Sequence, residues 1–301
     1  VSKLALLVAL SGGGKAGNII SPNPNTIAAA SGFDIQPSAV MVSSFIPALF
    51  GLGMAMLLAT LVQHRGQVVT MDDLNGGENA SAKSGGKASR ELPSIGRAMV
   101  APAIAVVLLL INPLGSVLGI KALTMFQVDA MYILPFAAIV GLLAMGQGRR
   151  ILDYTKAGIA RMIDVVMILI GAGALGGLIT SSDLPDQIVR LITAAGVPGA
   201  LLAPIAGILM AAATASTSTG VILGASSFGE TILAFGTTPV AAAVTMQAGA
   251  TVIDALPHGN YFHVSAKSMN MSIGERLGVL PFEALVGLTM TVVAVALNIV
   301  F

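Results

Sequence analysis

Ser21-Pro22-Asn23-Pro24-Asn25-Thr26 and, far along the chain, Leu256-Pro257-His258-Gly259-Asn260-Tyr261 decide how this sequence is read. The first leads through a short amphipathic stretch to Ile46-Pro47 and a long apolar run ending near Val62. The second passes a similar stretch to Leu280-Pro281 and an equally long run ending at Phe301. Each proline removes a backbone donor and clashes with the preceding turn, so two prolines flanking Asn23 cannot sit in an unbroken helix. At membrane depth the freed backbone groups survive only where protein or water satisfies them. Interruptions in corresponding places of two halves point to the binding site of a transporter built from inverted repeats.

Composition sets the environment. The chain has 301 residues, 55% of them hydrophobic and 10% charged, with a mean hydropathy of +0.90, against about 25% charged in soluble domains. Several apolar runs reach the roughly 20 residues that span a bilayer as a helix, and none alternates as a barrel strand does. The expected fold is an all-α polytopic membrane protein, an inverted-repeat transporter with re-entrant hairpins and broken helices. A net charge of +1 with no basic face argues against nucleic acid. Absence of cysteine excludes disulfides and thiolate metal sites; no metal or other cofactor is expected.

The spans are expected at residues 40–62, 98–117, 130–145, 157–179, 197–214, 239–256 and 279–301. Residues 1–62 then form the end of a first repeat, 63–97 a flexible cytoplasmic loop rich in Gly, Ser, Asn and charge, and 98–301 the second repeat. Arg65, Lys83, Lys87, Arg90 and Arg97 lie in that loop, and Arg149, Arg150, Lys156 and Arg161 follow the third span, whereas only Lys121 lies between. The positive-inside rule makes both basic segments cytoplasmic; residues 180–196, with Asp183 and Asp186, read as an external loop. Asn79-Ala80-Ser81 fits a glycosylation sequon, which needs a secretory lumen and reads as a chance match. The chain opens on Val1, and Leu4 to Leu10 is too short to span, so it is expected to begin inside a helix. Pairing Ser21 with Leu256 leaves on the order of 100 residues or more of the first repeat to be expected before Val1.

Three Gly- and hydroxyl-rich breaks are where chemistry is expected. Ser11-Gly12-Gly13-Gly14-Lys15 leads into the first, an unwound segment. It lacks the spacing of a nucleotide-binding loop, and Ala16 stands where the hydroxyl belongs, so nucleotide binding is rejected. Thr214-Ala215-Ser216-Thr217-Ser218-Thr219-Gly220 suits a tight hairpin whose neutral donors and acceptors fit a carboxylate or a hydroxyl array. In Asp254-Ala255-Leu256-Pro257-His258-Gly259-Asn260, histidine is the side chain that changes charge near neutral pH, and Asp254 would share its proton or orient its ring. The plain alternatives are a surface loop, small-residue helix packing, and solvation at the headgroup level. Asp164 and Arg161 have the spacing of an ordinary helix-face pair.

The Pro-rich break leading to Thr26, the hydroxyl cluster Ser216 to Thr219, and His258-Gly259-Asn260 followed by Ser272-Ile273-Gly274-Glu275 together resemble the gluconate permease family of the ion transporter superfamily. The resemblance runs over essentially the whole chain. It implies a secondary carrier of the bacterial inner membrane, embedded in lipid, that takes up gluconate or a related small hydroxy monocarboxylate with protons. It also implies a homodimer with a scaffold and a moving transport domain, working by an elevator-like motion. Carried onto this chain, it places Ser21, Asn23, Asn25, Thr26, Ser216, Thr217, Ser218, Thr219 and Asn260 at the substrate. Asn23 stands where family members often have His, and Tyr261 where an acidic residue is often found. His258 and Asp254 are the candidates for proton coupling. The other readings are a sodium-coupled carboxylate carrier, in which hydroxyls and unwound carbonyls replace the protonatable group, and a channel. No nucleophile motif supports an enzyme.

Overall fold

The structure is a computed structural model that describes residues 1–70, 93–125, 128, 130–196 and 198–300. Residues 71–92 of the expected loop, which hold Lys83, Lys87, Arg90 and the Asn79 sequon, lie outside the described residues. Every regular element among the described residues is helical. The helices divide between two compact units, one of Val1–Gly86 with Leu169–Phe301, the other of Lys87–Ile168.

The larger unit opens with α1 (Lys3–Ile20), α2 (Pro24–Gly32), α3 (Pro37–Ser43) and α4 (Phe45–Leu61). The Gly12–Gly14 run does not unwind the chain: α1 is continuous through it. The glycine serves a close approach instead, because a Cβ on Gly12 would overlap that of Ala55 on α4. The break falls at residues 21–23, where the chain bends by 41°. Asn23 holds it on both sides. Its Oδ1 accepts from the amides of Asn25 at 2.8 Å and Thr26 at 3.2 Å, capping α2, and its Nδ2 donates to the Asn18 carbonyl and the Ser21 hydroxyl. Asn23→Ala is therefore expected to cost about 1 kcal/mol through the cap alone, and chemical unfolding in detergent micelles reads it; an unchanged midpoint would refute the capping role. A second bend, of 49° at Ser44, divides the expected 40–62 span.

The smaller unit contains α5 (Ile95–Ala98), α6 (Val100–Leu118), α7 (Lys121–Thr124) and α8 (Ala130–Ala144). Leu109 of α6 and Ile133 of α8 are buried together, and Gly141 admits Ala101 where a Cβ would not fit. The boundary between the units falls within α9 (Ile151–Thr180).

The chain continues with α10 (Leu184–Ala194), α11 (Leu202–Thr214), α12 (Thr217–Ala234) and α13 (Pro239–Ala250). Residues 184–194, expected as loop, are helical: Pro185 sits in the first turn and Val189 packs on the core. The last helices are α14 (Asn260–Ser268), α15 (Ile273–Leu277) and α16 (Leu280–Val295), which closes in a π turn, Ala296–Val300. The expected span over 239–256 stops at Ala250, because residues 251–259 leave the helix.

The arm α13–α16 repeats the element order of α1–α4, the first three helices starting 236 residues apart and the fourth 235. Lys3 and Pro239 open the long first helices, Pro24 and Asn260 the short second ones, and Pro37 and Ile273 the third. Asp34 and Asn270, at the same spacing, both take left-handed backbone, φ 53 and 47°. Beyond each, the amide of Ile35 or Met271 bonds back to Ala30 or Ala266 at 3.0 and 2.8 Å. These are matching helix stops, since the left-handed residue turns the chain so that orphan carbonyls are satisfied. Over these three helices the spacing is one residue longer than the pairing of Ser21 with Leu256.

One core cluster joins α2, α11, α12 and α13 around Phe33, Leu202, Phe228 and Met246; another joins α1, α4 and α16 around Leu7, Ile19, Ala55 and Met290. Apolar side chains also face outward, among them Phe45, Leu49, Phe50, Met56 and Leu61 on α4, a surface suited to lipid. Among the described residues, Ile273–Asn298 is long and apolar enough to cross a membrane, and the bent pairs α1–α2 and α3–α4 qualify if each counts as one span.

Candidate functional site

The three sequence breaks meet inside the larger unit. Helices α11 and α12 form a hairpin that turns at Ala215, a non-glycine residue in left-handed backbone at φ 47°. Such a residue costs energy and persists only where its surroundings hold it. Here Gly220 lets α12 close onto Ala211, and Gly259, from the break after α13, packs on Ala215, where a Cβ would sit 2.6 Å from the alanine side chain. The Ser216 hydroxyl caps α12 by accepting from the Thr219 amide at 3.3 Å, and the Thr219 hydroxyl donates to it at 3.1 Å. The tip of the hairpin is thereby fixed against residues 251–259.

One polar group of the site is charged. Asp254 Oδ2 accepts from the Thr217 hydroxyl at 2.6 Å, while Oδ1 is paired with the Lys15 ammonium. Lys15 also donates to the carbonyl of Thr251, freed where α13 ends. The side chains are 5% and 14% exposed. An ion pair this far from water is costly to bury and costlier to break, since losing one partner strands the other. Lys15 thus ties α1 to the last break, and Thr217 ties the hairpin tip to the same carboxylate.

The other group is neutral. The Ser218 hydroxyl donates to Asn25 Oδ1. Gln247 Nε2 donates to the Thr26 hydroxyl at 3.4 Å, and that hydroxyl donates to the Asn18 carbonyl, also at 3.4 Å. Asn25, Thr26 and Gln247 are buried, and Gln247 Oε1 has no hydrogen-bond partner among the described residues. Among the described residues no three His, Asp or Glu side chains lie close enough together to hold a metal ion.

Of the residues singled out from sequence, Asn25, Thr26, Thr217, Ser218 and Asp254 are brought together. Ser216 and Thr219 shape the hairpin tip, and Ser21 and Asn23 shape the first break. His258 and Asn260 are exposed, and the hydrogen bonds of Asp254 go to Thr217 and Lys15. His263 instead steadies the break, its Nε2 lying 2.7 Å from the Pro257 carbonyl; since a carbonyl only accepts, that nitrogen carries the proton. Sequence reasoning missed Lys15, set aside when the glycine run was tested as a nucleotide loop, and Gln247, a lone amide in the Ala- and Val-rich α13. Both carried a signal, a polar side chain inside an otherwise apolar helix.

Over all 301 residues the chain is 40% identical to a Haemophilus influenzae protein called an uncharacterized transporter, and it covers 67% of that protein's length. No family model and no solved structure matches the chain.

Proposed function

Because the chain belongs to the same transporter family as the Haemophilus influenzae protein, we propose that it is a secondary active symporter of the bacterial inner membrane, carrying a small hydroxy monocarboxylate, gluconate or a close relative, with protons. The observation that carries this reading is the buried Lys15–Asp254–Thr217 arrangement, which joins the interior of α1 to two helix interruptions, the hairpin tip and the last break. A carrier must respond to its cargo, and a ligand shifts a conformational equilibrium only through differential contacts with the two states. Groups drawn from α1, the hairpin and the last break supply such contacts. Lys15 offers the cation for a carboxylate. Asn25, Ser218 and Thr26 offer neutral donors and acceptors for hydroxyls, and Asp254 offers a place for a proton. The resemblance to the gluconate permeases supports the substrate class, a homodimeric assembly and an elevator-like motion.

A second reading, sodium coupling, draws on the neutral oxygens around Gln247, whose Oε1 has no partner among the described residues; oxygen donors suit a hard cation. The test is uptake of labelled gluconate by the full chain in liposomes, under an imposed pH gradient or an imposed sodium gradient, with glycerate, hydroxybutyrate and D-serine as competitors. Saturable uptake that follows the pH gradient and collapses with an uncoupler is expected. Uptake following sodium alone would replace the coupling ion, and non-saturable flux without counterflow would make the protein a channel.

A further inference from the structure

We infer that Lys15 is the carboxylate-binding cation of the transport site, and that coupling works by exchange of its partner: the substrate carboxylate takes the ammonium group as Asp254 gives it up and binds the proton. This rests on the symport reading and adds the residue and the order of charges to it. Lys15 and Thr251 are 236 residues apart, so they hold equivalent places in the two repeated arms, and they touch: the ammonium of one arm sits on the freed carbonyl of the other. The pair therefore lies where the two repeated arms touch. An ammonium has three donors; one is on Thr251 and one on Asp254, and the substrate carboxylate is assigned to the same group.

Charge makes the exchange obligatory. Two carboxylates and one ammonium in a buried site leave one negative charge uncompensated, which a low-dielectric interior penalises heavily. A substrate anion enters at low cost only when Asp254 is neutral, so the anion and the proton come together. The proton passes from water to the Asp254 carboxylate, Thr217 stays hydrogen-bonded to it, and no covalent bond changes. Asp254 keeps part of its surface open, and from the surrounding elements it is faced by Lys15 on α1 and by Tyr261 on α14, itself near Arg276 and Glu283. One carboxylate and one proton per cycle make the transport electroneutral.

The experiment compares wild type, K15Q, D254N and K15Q/D254N in liposomes, with labelled gluconate and its uncharged amide as probes. K15Q is expected to weaken gluconate binding at least about 10-fold, the scale of one lost charge-assisted hydrogen bond, while leaving binding of the amide nearly unchanged. D254N is expected to lose accumulation driven by a pH gradient and to bind gluconate independently of pH. Each single variant keeps one buried charge and can fail to fold. The double variant removes both, is expected to fold, and is expected to show the same loss of gluconate over amide preference. Gluconate affinity at the wild-type level in K15Q or in the double variant would overturn the inference, as would pH-driven accumulation by D254N. If wild type takes up no carboxylate under any gradient, the symport reading fails first and the inference falls with it.

Discussion

Replacing Arg276 with methionine is expected to destabilise the protein by about 3–5 kcal/mol, the cost of stranding one member of a buried ion pair. Arg276 is fully buried, and its guanidinium grips Glu283 with two parallel bonds of 2.9 and 3.0 Å. Its Nε donates to the Ser265 hydroxyl at 2.8 Å, and its flat face lies 5.0 Å from the Phe262 ring centroid. The one side chain therefore binds α14, α15 and α16 together. R276M removes every one of these bonds while keeping much of the volume, which leaves the Glu283 carboxylate without a cation in a site that excludes water. A double variant, R276M/E283L, removes the stranded charge as well, and apolar replacement of a whole buried pair is often neutral. It should therefore recover most of the loss. Denaturant unfolding in detergent micelles measures both, and a loss below about 1 kcal/mol for the single variant would mean that water reaches Glu283. The equivalent of Arg276 in the first arm is the apolar Val40, so the brace belongs to one arm alone.

What the sequence disclosed and what it hid divide along a physical line. Prolines act through their own covalent structure, so the interruption at residues 21–23 was legible, as was the hydroxyl-rich start of α12. Glycine has two uses, conformational freedom and close approach, and only the position of Ala55 on α4 decides that Gly12 serves the second. The charged residues of 184–194 masked an apolar stripe that packs Val189 on the core. Lys15 and Asp254 are each visible as ions in apolar surroundings, yet their pairing depends on how two distant arms cross, which no local pattern states. His258 drew notice by its chemistry, whereas its exposure is a property of the packed break.

A close approach of backbones, that of α11 to α13, makes Gly249→Leu the other substitution of large expected effect. Helices α11 and α13 touch through reciprocal glycines: a Cβ on Gly207 would overlap the carbonyl of Met246, and one on Gly249 the carbonyl of Pro204. These neighbours are backbone atoms, which cannot rotate aside, so a larger side chain must push the helices apart. Overpacking a tight core costs about 1–3 kcal/mol and occasionally more, and G249L is expected at the upper end. Its effect on transport should be larger still. Helix α13 carries Gln247 and leads into the break that holds Asp254, while α11 leads into the hairpin tip that brings Thr217 to the same carboxylate, so separating the helices separates the two halves of the site. Gluconate uptake is expected to fall below a tenth of wild type even where the protein remains folded, a loss of about 1.4 kcal/mol or more in transition-state terms. Gly13→Ala supplies the contrast: nothing lies within 4 Å of its added Cβ, and alanine is up to about 1 kcal/mol the better helix former. Wild-type stability in G249L would show that the helices can part without cost; a stability loss in G13A would show that the glycine run serves something other than contact with α4.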